Sequence, residues 1–288
     1  MEAPRAGRFV AIGDSFTEGV GDPNPNYPNG FRGWADRMAR QLGRADPAWE
    51  YANLALRSKV LDQVVDEQLE AALTLGPTHV SFYAGGNDLL SLRADVDALL
   101  ARYEAALLRL VSSGATVLVF TAFDIRATAL LEPLRRRVLV FNAGVRDLAT
   151  EHGAVLLDHT LLREYDDRRL WAPDRIHMNR AGHKRMAAFV LRELGVHHTL
   201  RLHELHGTDA RGLAEAVRAE ARFVRTEVVP LVRRRVTGRN GGDTAEPKWP
   251  EPIHPADGMK RLARRRVAVG GVSGNRSVSA ARARTGAS

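Results

Sequence analysis

The stretch Arg8-Phe9-Val10-Ala11-Ile12-Gly13-Asp14-Ser15 decides how the chain is read. Arg8–Ile12 is a short, mostly apolar run of the kind expected for a strand buried on both faces, and Gly-Asp-Ser then turns the chain at its C-terminal end. Ligands of open α/β sheets bind beyond that end of the strands, so the Ser15 hydroxyl stands where chemistry is done. Working outward, four further runs read as strands: Glu50–Asn53, His79–Tyr83, Thr116–Thr121 and Val155–Leu157. Between them lie stripes at helical period, such as Val96, Leu99, Leu100, Tyr103, Leu107, Leu110 and Val111, and then Val138, Phe141, Val145 and Leu148. Alternating strand and helix signals predict an α/β protein: a doubly wound, mostly parallel five-stranded sheet between two helical layers.

That domain is expected over residues 1–199. A second part, 200–236, carries Leu213, Val217, Val224, Val228 and Leu231 on one face and is expected to pack back as a helical extension. The remainder, 237–288, is rich in Gly, Pro and polar residues and then in Arg, Ala, Ser and Gly, and reads as a disordered tail. The net charge of +8 belongs to its last segment. Lys260–Ser288 holds eight basic residues and no acidic one, which leaves 34 basic against 34 acidic residues in the rest. The charge is thus no argument for a nucleic-acid surface on the folded part, and no nucleic-acid partner is expected; binding of anionic surfaces through the tail stays as a lesser alternative.

The chain has no cysteine, which excludes a thiolate nucleophile, a thiolate metal site and a disulfide framework and fits a reducing, cytoplasmic location. No apolar run is long enough to span a membrane, and the first eight residues have no signal-peptide core. GDSFTEG matches neither phosphate-binding glycine motif, and the histidines at 197, 198, 203 and 206 lack a convincing set of nearby acids. Neither a cofactor nor a metal is expected.

A serine after a strand is by itself most often a turn or a helix cap. Its partners change that reading. Asp174-Arg175-Ile176-His177 follows the last strand, so one loop presents a carboxylate and an imidazole three residues apart. Hydroxyl attack on a carbonyl needs a base for the proton and a carboxylate to hold the base's tautomer. Two more segments end strands at the same edge, Asn53-Leu54-Ala55-Leu56-Arg57-Ser58 and Gly85-Gly86-Asn87-Asp88, where an amide and backbone N–H groups can converge on an oxyanion.

With these four blocks in order, the chain resembles the SGNH hydrolases, the GDSL esterases and lipases, over about residues 8–195. The resemblance implies Ser15 as nucleophile, His177 as base and Asp174 as its orienter, with the N–H groups of Ser15 and Ser58 and the side chain of Asn87 as the oxyanion hole. Ser58 departs from the glycine usual in the second block, where a glycine-only backbone conformation is at issue. The implied activity is hydrolysis of a small-molecule carboxylic ester with water as second substrate; an acyltransferase with the same residues is the alternative. The loops 21–33, 122–133 and 160–173 are expected to wall the pocket, with Phe31, Trp34, Phe123 and Trp171 as its substrate-binding residues.

Overall fold

The computed structural model describes residues 6–91, 93–123, 132–202, 204–205 and 245–266. Its sheet is built from β1 (Arg8–Gly13), β2 (Glu50–Asn53), β3 (His79–Tyr83), β4 (Thr116–Phe120), β5 (Val155–Leu157) and β6 (Trp249–Ile253), in the order β5-β4-β3-β1-β2-β6. The first five strands pair in parallel. The chain leaves β1 toward β2 on one side and returns to β3 on the other, so the strand order reverses at β1. This is the switch point where the chains leaving two adjacent strand ends part and leave a crevice.

Helices cover both faces, as a parallel sheet requires. They are α1 (Ser15–Glu18), α2 (Gly33–Ala45), α3 (Leu61–Val64), α4 (Glu70–Thr74), α5 (Gly86–Leu89), α6 (Val96–Ser112), α7 (Glu132–Glu151) and α8 (Arg180–Glu193). The alternation of side chains along β1 divides the core in two. Phe9 and Ala11 face the layer of α2 and α8, packing with Trp34, Met38, Met186 and Val190. Val10 and Ile12 face the layer of α3, α6 and α7, packing with Val64, Leu107, Phe141 and Val145.

The five strands read from the sequence are all present, within one residue at their ends. The expected tail is corrected on one point. Residues 249–253 form β6, which adds antiparallel to β2 with Tyr51 opposite Ile253 and Asn53 opposite Trp249. Residues 259–266 are helical, with Met259 and Ala263 buried in the α2 and α8 core. The expected helical extension at 200–236 and the last 22 residues, 267–288, lie almost wholly outside the described residues.

What draws the late strand in is a buried ion pair. Lys248 and Asp36 are both fully enclosed and meet at 2.5 Å. The Lys248 ammonium also donates to the carbonyls of Arg32 at 3.0 Å and Phe31 at 3.3 Å. The second Asp36 oxygen accepts from Trp249 Nε1 at 2.9 Å and from the Tyr51 hydroxyl at 3.1 Å. A single carboxylate on α2 thereby ties β2 and β6 together, with every ammonium proton and both oxygens satisfied. Because removing one member of such a pair strands a buried charge, Lys248→Ala should cost about 3–5 kcal/mol of unfolding free energy in denaturant melts, whereas ending the chain after Arg266 should leave the midpoint unchanged.

Candidate active site

Gly13 begins the site because nothing larger fits. Its φ is +143°, and a Cβ there would lie 2.3 Å from the Tyr83 carbonyl oxygen of the neighbouring strand. Gln68 clamps the same residue, accepting from Gly13 N–H at 2.8 Å and donating to its carbonyl at 3.0 Å. Gln68 reaches it from a π-helical turn, Val65–Leu69, between α3 and α4. Such turns recur at functional sites because the extra residue re-aims side chains. Asp14 then caps α1, its side chain accepting from Phe16 N–H at 2.9 Å, and Ser15 is the first residue of that helix.

Ser15, His177 and Asp174 lie in one line. Ser15 Oγ is 2.9 Å from His177 Nε2, and His177 Nδ1 is 2.7 Å from Asp174 Oδ2. The other Asp174 oxygen accepts from the N–H groups of Ile176 and His177, each at 3.0 Å. Arg175 lies in the left-handed region at φ +55°, which bends the loop so that both N–H groups face the carboxylate. Burial works to raise the Asp174 carboxyl, but the hydrogen bond and charge of His177 and the two N–H donors outweigh it and hold it below the usual carboxylate range. Asn179 caps α8, and Gly21 lets the chain leaving α1 close on this loop, since a Cβ there would meet the Met178 carbonyl oxygen at 2.1 Å.

Ser58 has φ +67°, the left-handed conformation that glycine adopts without cost. The backbone geometry expected for a glycine is therefore kept with a serine in place. Asn53 shapes this loop, its side-chain oxygen accepting from Ala55 N–H at 3.0 Å and its amide donating to the Thr17 carbonyl at 3.2 Å. The Asn87 amide donates to Asp14 Oδ2 at 3.1 Å and to the Lys59 carbonyl at 2.9 Å, which places it against the immediate neighbours of both Ser15 and Ser58.

Of the aromatic residues expected to wall the pocket, Trp34 is corrected. It is fully buried against Phe9, Phe16 and Phe120 and supports the site from behind, because α2 turns it into the core. Phe31 is half-buried beneath the Arg57 guanidinium, 5.0 Å away. Phe123 stacks on His159 with ring centres 4.0 Å apart and meets the edge of Trp171 at 4.7 Å. Residues 124–131 of the loop that carries Phe123 lie outside the described residues.

Sequence reasoning missed Glu18, Gln68 and His159. Glu18, fully buried, accepts from the backbone N–H of Arg57 at 2.7 Å, from its Nη2 at 2.6 Å and from Asn29 at 3.0 Å, so the helix that carries Ser15 holds the loop of Ser58 directly. His159 is enclosed by Phe16, Phe120 and Phe123, and burial brings its imidazole down to about 3, which keeps it neutral. The only signal for Glu18 was an acid in the first turn after the nucleophile; nothing in the sequence pointed to the other two.

The model of the GDSL-like lipase/acylhydrolase family matches residues 11–185, more than half of the chain. The chain belongs to that family. The fold is similar to that of an acetylxylan esterase from Geobacillus stearothermophilus, at 21% identity and a TM-score of 0.57 over 68% of this chain and 98% of that one. A catalytic mutant of the same esterase superimposes with a TM-score of 0.58. An α/β hydrolase enzyme from the metagenome of Lake Arreo, Spain, is similar at 22% identity and a TM-score of 0.53, covering 67% of this chain and 97% of that one. No curated protein matches the sequence. Among the described residues, no helix is long and apolar enough to cross a membrane.

Two predictions come from the backbone and from Asp14. Left-handed geometry costs a residue with a Cβ about 1 kcal/mol, so Ser58→Gly should raise the unfolding free energy by about that amount in urea melts. Burial pushes the Asp14 carboxyl from 3.8 up to about 7, against the pull of the Phe16 N–H and of His177. The folded state thus favours the protonated form: the stability is complete below pH 4 and is lost as pH rises toward 7. Asp14→Asn removes this titration, and its unfolding free energy should gain on the parent's by about 2–4 kcal/mol between pH 4 and pH 8, measured as the difference between the two proteins' denaturant curves.

Proposed function

We propose that this acylhydrolase-family protein cleaves carboxylic esters through an acyl-serine intermediate, with Ser15 as nucleophile, His177 as general base and Asp174 as its orienter. The observation that carries the reading is the unbroken line of hydrogen bonds from Asp174 Oδ2 through the imidazole to Ser15 Oγ, with both distances under 3 Å. The Asp174 contact fixes the proton on Nδ1, leaving Nε2 free to accept the serine proton as Oγ attacks the ester carbonyl. The charge that gathers on the carbonyl oxygen is met by the N–H groups of Ser15 and Ser58 and by the Asn87 amide, which exchanges one of its two present acceptors, Asp14 Oδ2 or the Lys59 carbonyl, for the oxyanion. His177 then passes its proton to the departing alcohol. Water attacks the acyl-serine, giving a proton to Nε2, which returns it to Oγ as the acid leaves.

The buried Asp14 and Glu18 support this chemistry from beneath. Asp14 holds Asn87, and Glu18 holds the loop of Ser58, so two donors of the proposed hole are positioned before substrate arrives. The reading places the enzyme in the cytoplasm, where a chain without cysteine loses nothing to reducing conditions.

Ser15→Ala should abolish both ester hydrolysis and labelling by a fluorophosphonate while leaving thermal unfolding nearly unchanged; labelling that persists would overturn the assignment. kcat/KM for p-nitrophenyl acetate should rise with pH, because the base must be neutral to take the serine proton, and the loss of the Asp14 proton near pH 7 should add a second step that Asp14→Asn lacks. Asn87→Ala should lower kcat by about 10²–10³-fold, the usual loss for one oxyanion donor.

A further inference from the structure

Outside Lys260–Ser288 the chain carries 34 basic and 34 acidic residues, and five of the eight basic residues of that segment lie in the described helix at 259–266, yet the charge of the rest is not evenly spread. Arg32, Arg40, Arg180 and Lys184 make no ion pair and no side-chain hydrogen bond among the described residues. Arg32, at 9% exposure, keeps its Nε buried without a partner, and its guanidinium contacts only the Tyr27 ring, 5.7 Å away. Arg37 beside it is paired with Asp22, both side chains buried, and its Nε also lacks a partner. Burial and then the charges of Arg37, Arg180 and Arg32 depress Lys184, and burial and then Arg44 and Arg32 depress Arg40.

Their placement is set by two helices. Arg32 is the residue before α2, and Arg37 and Arg40 lie on its next turns; Arg180 opens α8, and Lys184 is one turn further. α2 and α8 pack against each other on one face of the sheet. Both start at the edge that carries the nucleophile. Gly33 at the start of α2 packs on Gly19 at the end of the nucleophile's helix, and α8 starts three residues after His177. Asp22, which anchors Arg37, follows the Gly21 that packs on His177 and Met178. Two helix N-termini, each with backbone N–H groups and a positive dipole end, thus add to a group of cations that no described carboxylate neutralises.

We propose that Arg32, Arg180 and Lys184, at the paired starts of α2 and α8, form a subsite for a phosphate group carried by the ester substrate. The inference rests on the hydrolase reading, since it places the phosphate on the molecule whose ester bond Ser15 attacks. Phosphate suits the site better than a carboxylate, because three cations without an ion pair among the described residues and two dipoles exceed what one negative charge balances, and guanidinium groups bind phosphate oxygens in pairs. Two carboxylates beside these cations, Asp22 and Asp36, are buried and already held by Arg37 and Lys248.

The test reads binding and turnover separately. Inorganic phosphate titrated calorimetrically into the full-length Ser15→Ala protein should bind, and the Arg180→Gln/Lys184→Gln double variant should weaken it by about tenfold to a hundredfold, the loss expected for charged hydrogen bonds. Arg180 is exposed and Lys184 half-buried, and circular dichroism checks that the variant is folded. With active enzyme, kcat/KM for a phosphate-bearing acetate ester should exceed that for its neutral counterpart by at least about tenfold at low salt. That ratio should fall toward one in the double variant and with added salt, and phosphate should compete with the charged ester. A ratio near one in the parent, a ratio the double variant leaves intact, or inhibition that does not compete with the ester would each overturn the proposal. Phosphate binding to Ser15→Ala without hydrolysis of any ester by the parent would instead refute the hydrolase reading and leave an anion site standing.

Discussion

Because β1 is hydrogen-bonded in parallel on both sides, to β2 and to β3, its C-terminal end has neighbours on either hand and no lateral freedom. Gly13 is the consequence. The backbone must turn within reach of the Tyr83 carbonyl, and only a residue without Cβ can do so. Everything at the site is built outward from that crowded turn. Gln68 takes up the polar groups of Gly13, Asp14 caps the helix that starts there, and Ser15 emerges on its first turn with the parted strands leaving space in front of it.

The electrostatics follow from the same crowding. Asp14 is carried into the interior by the turn, where lost hydration is the main force on its carboxyl. Asp174 is partly buried too, but three donors face it and reverse the outcome. Two carboxyl groups that feel one imidazole are thereby pushed in opposite directions by their surroundings, Asp174 hydrogen-bonded to His177 and Asp14 to Asn87. Glu18 adds a third acid, fully buried but compensated by the Arg57 guanidinium and backbone N–H.

The late segment reaches the site through its partners on the early chain. Lys248 holds the carbonyls of Phe31 and Arg32, and the Glu246 carbonyl accepts from Asn29, which also donates to Glu18. A residue more than two hundred positions downstream thus fixes the backbone of the loop on which Arg57 rests over Phe31. The same loop leads into α2, where Arg32 and Arg37 sit, so the charged rim and the loop that carries Ser58 share one support.

The sequence by itself determined the five parallel strands, the helices between them and the four site segments at one edge. These are local facts: short two-sided apolar runs, helical stripes, and turn residues at strand ends, each of which reads the same in any context. Tertiary structure decided the rest. Trp34 sits on a loop-to-helix boundary, and only the direction of α2 turns it inward; Gln68 depends on a single π turn that shifts its side chain by one residue. Glu18 and Lys248 are satisfied by partners tens or hundreds of residues away, and a polar residue carries no mark in sequence of the partner that will satisfy it; the cations of α2 and α8 come together only because the two helices pack. The strand at 249–253 was hidden for the same reason: two prolines and a glutamate in five residues give no strand period, and it pairs because Asp36 and β2 receive Lys248 and Trp249.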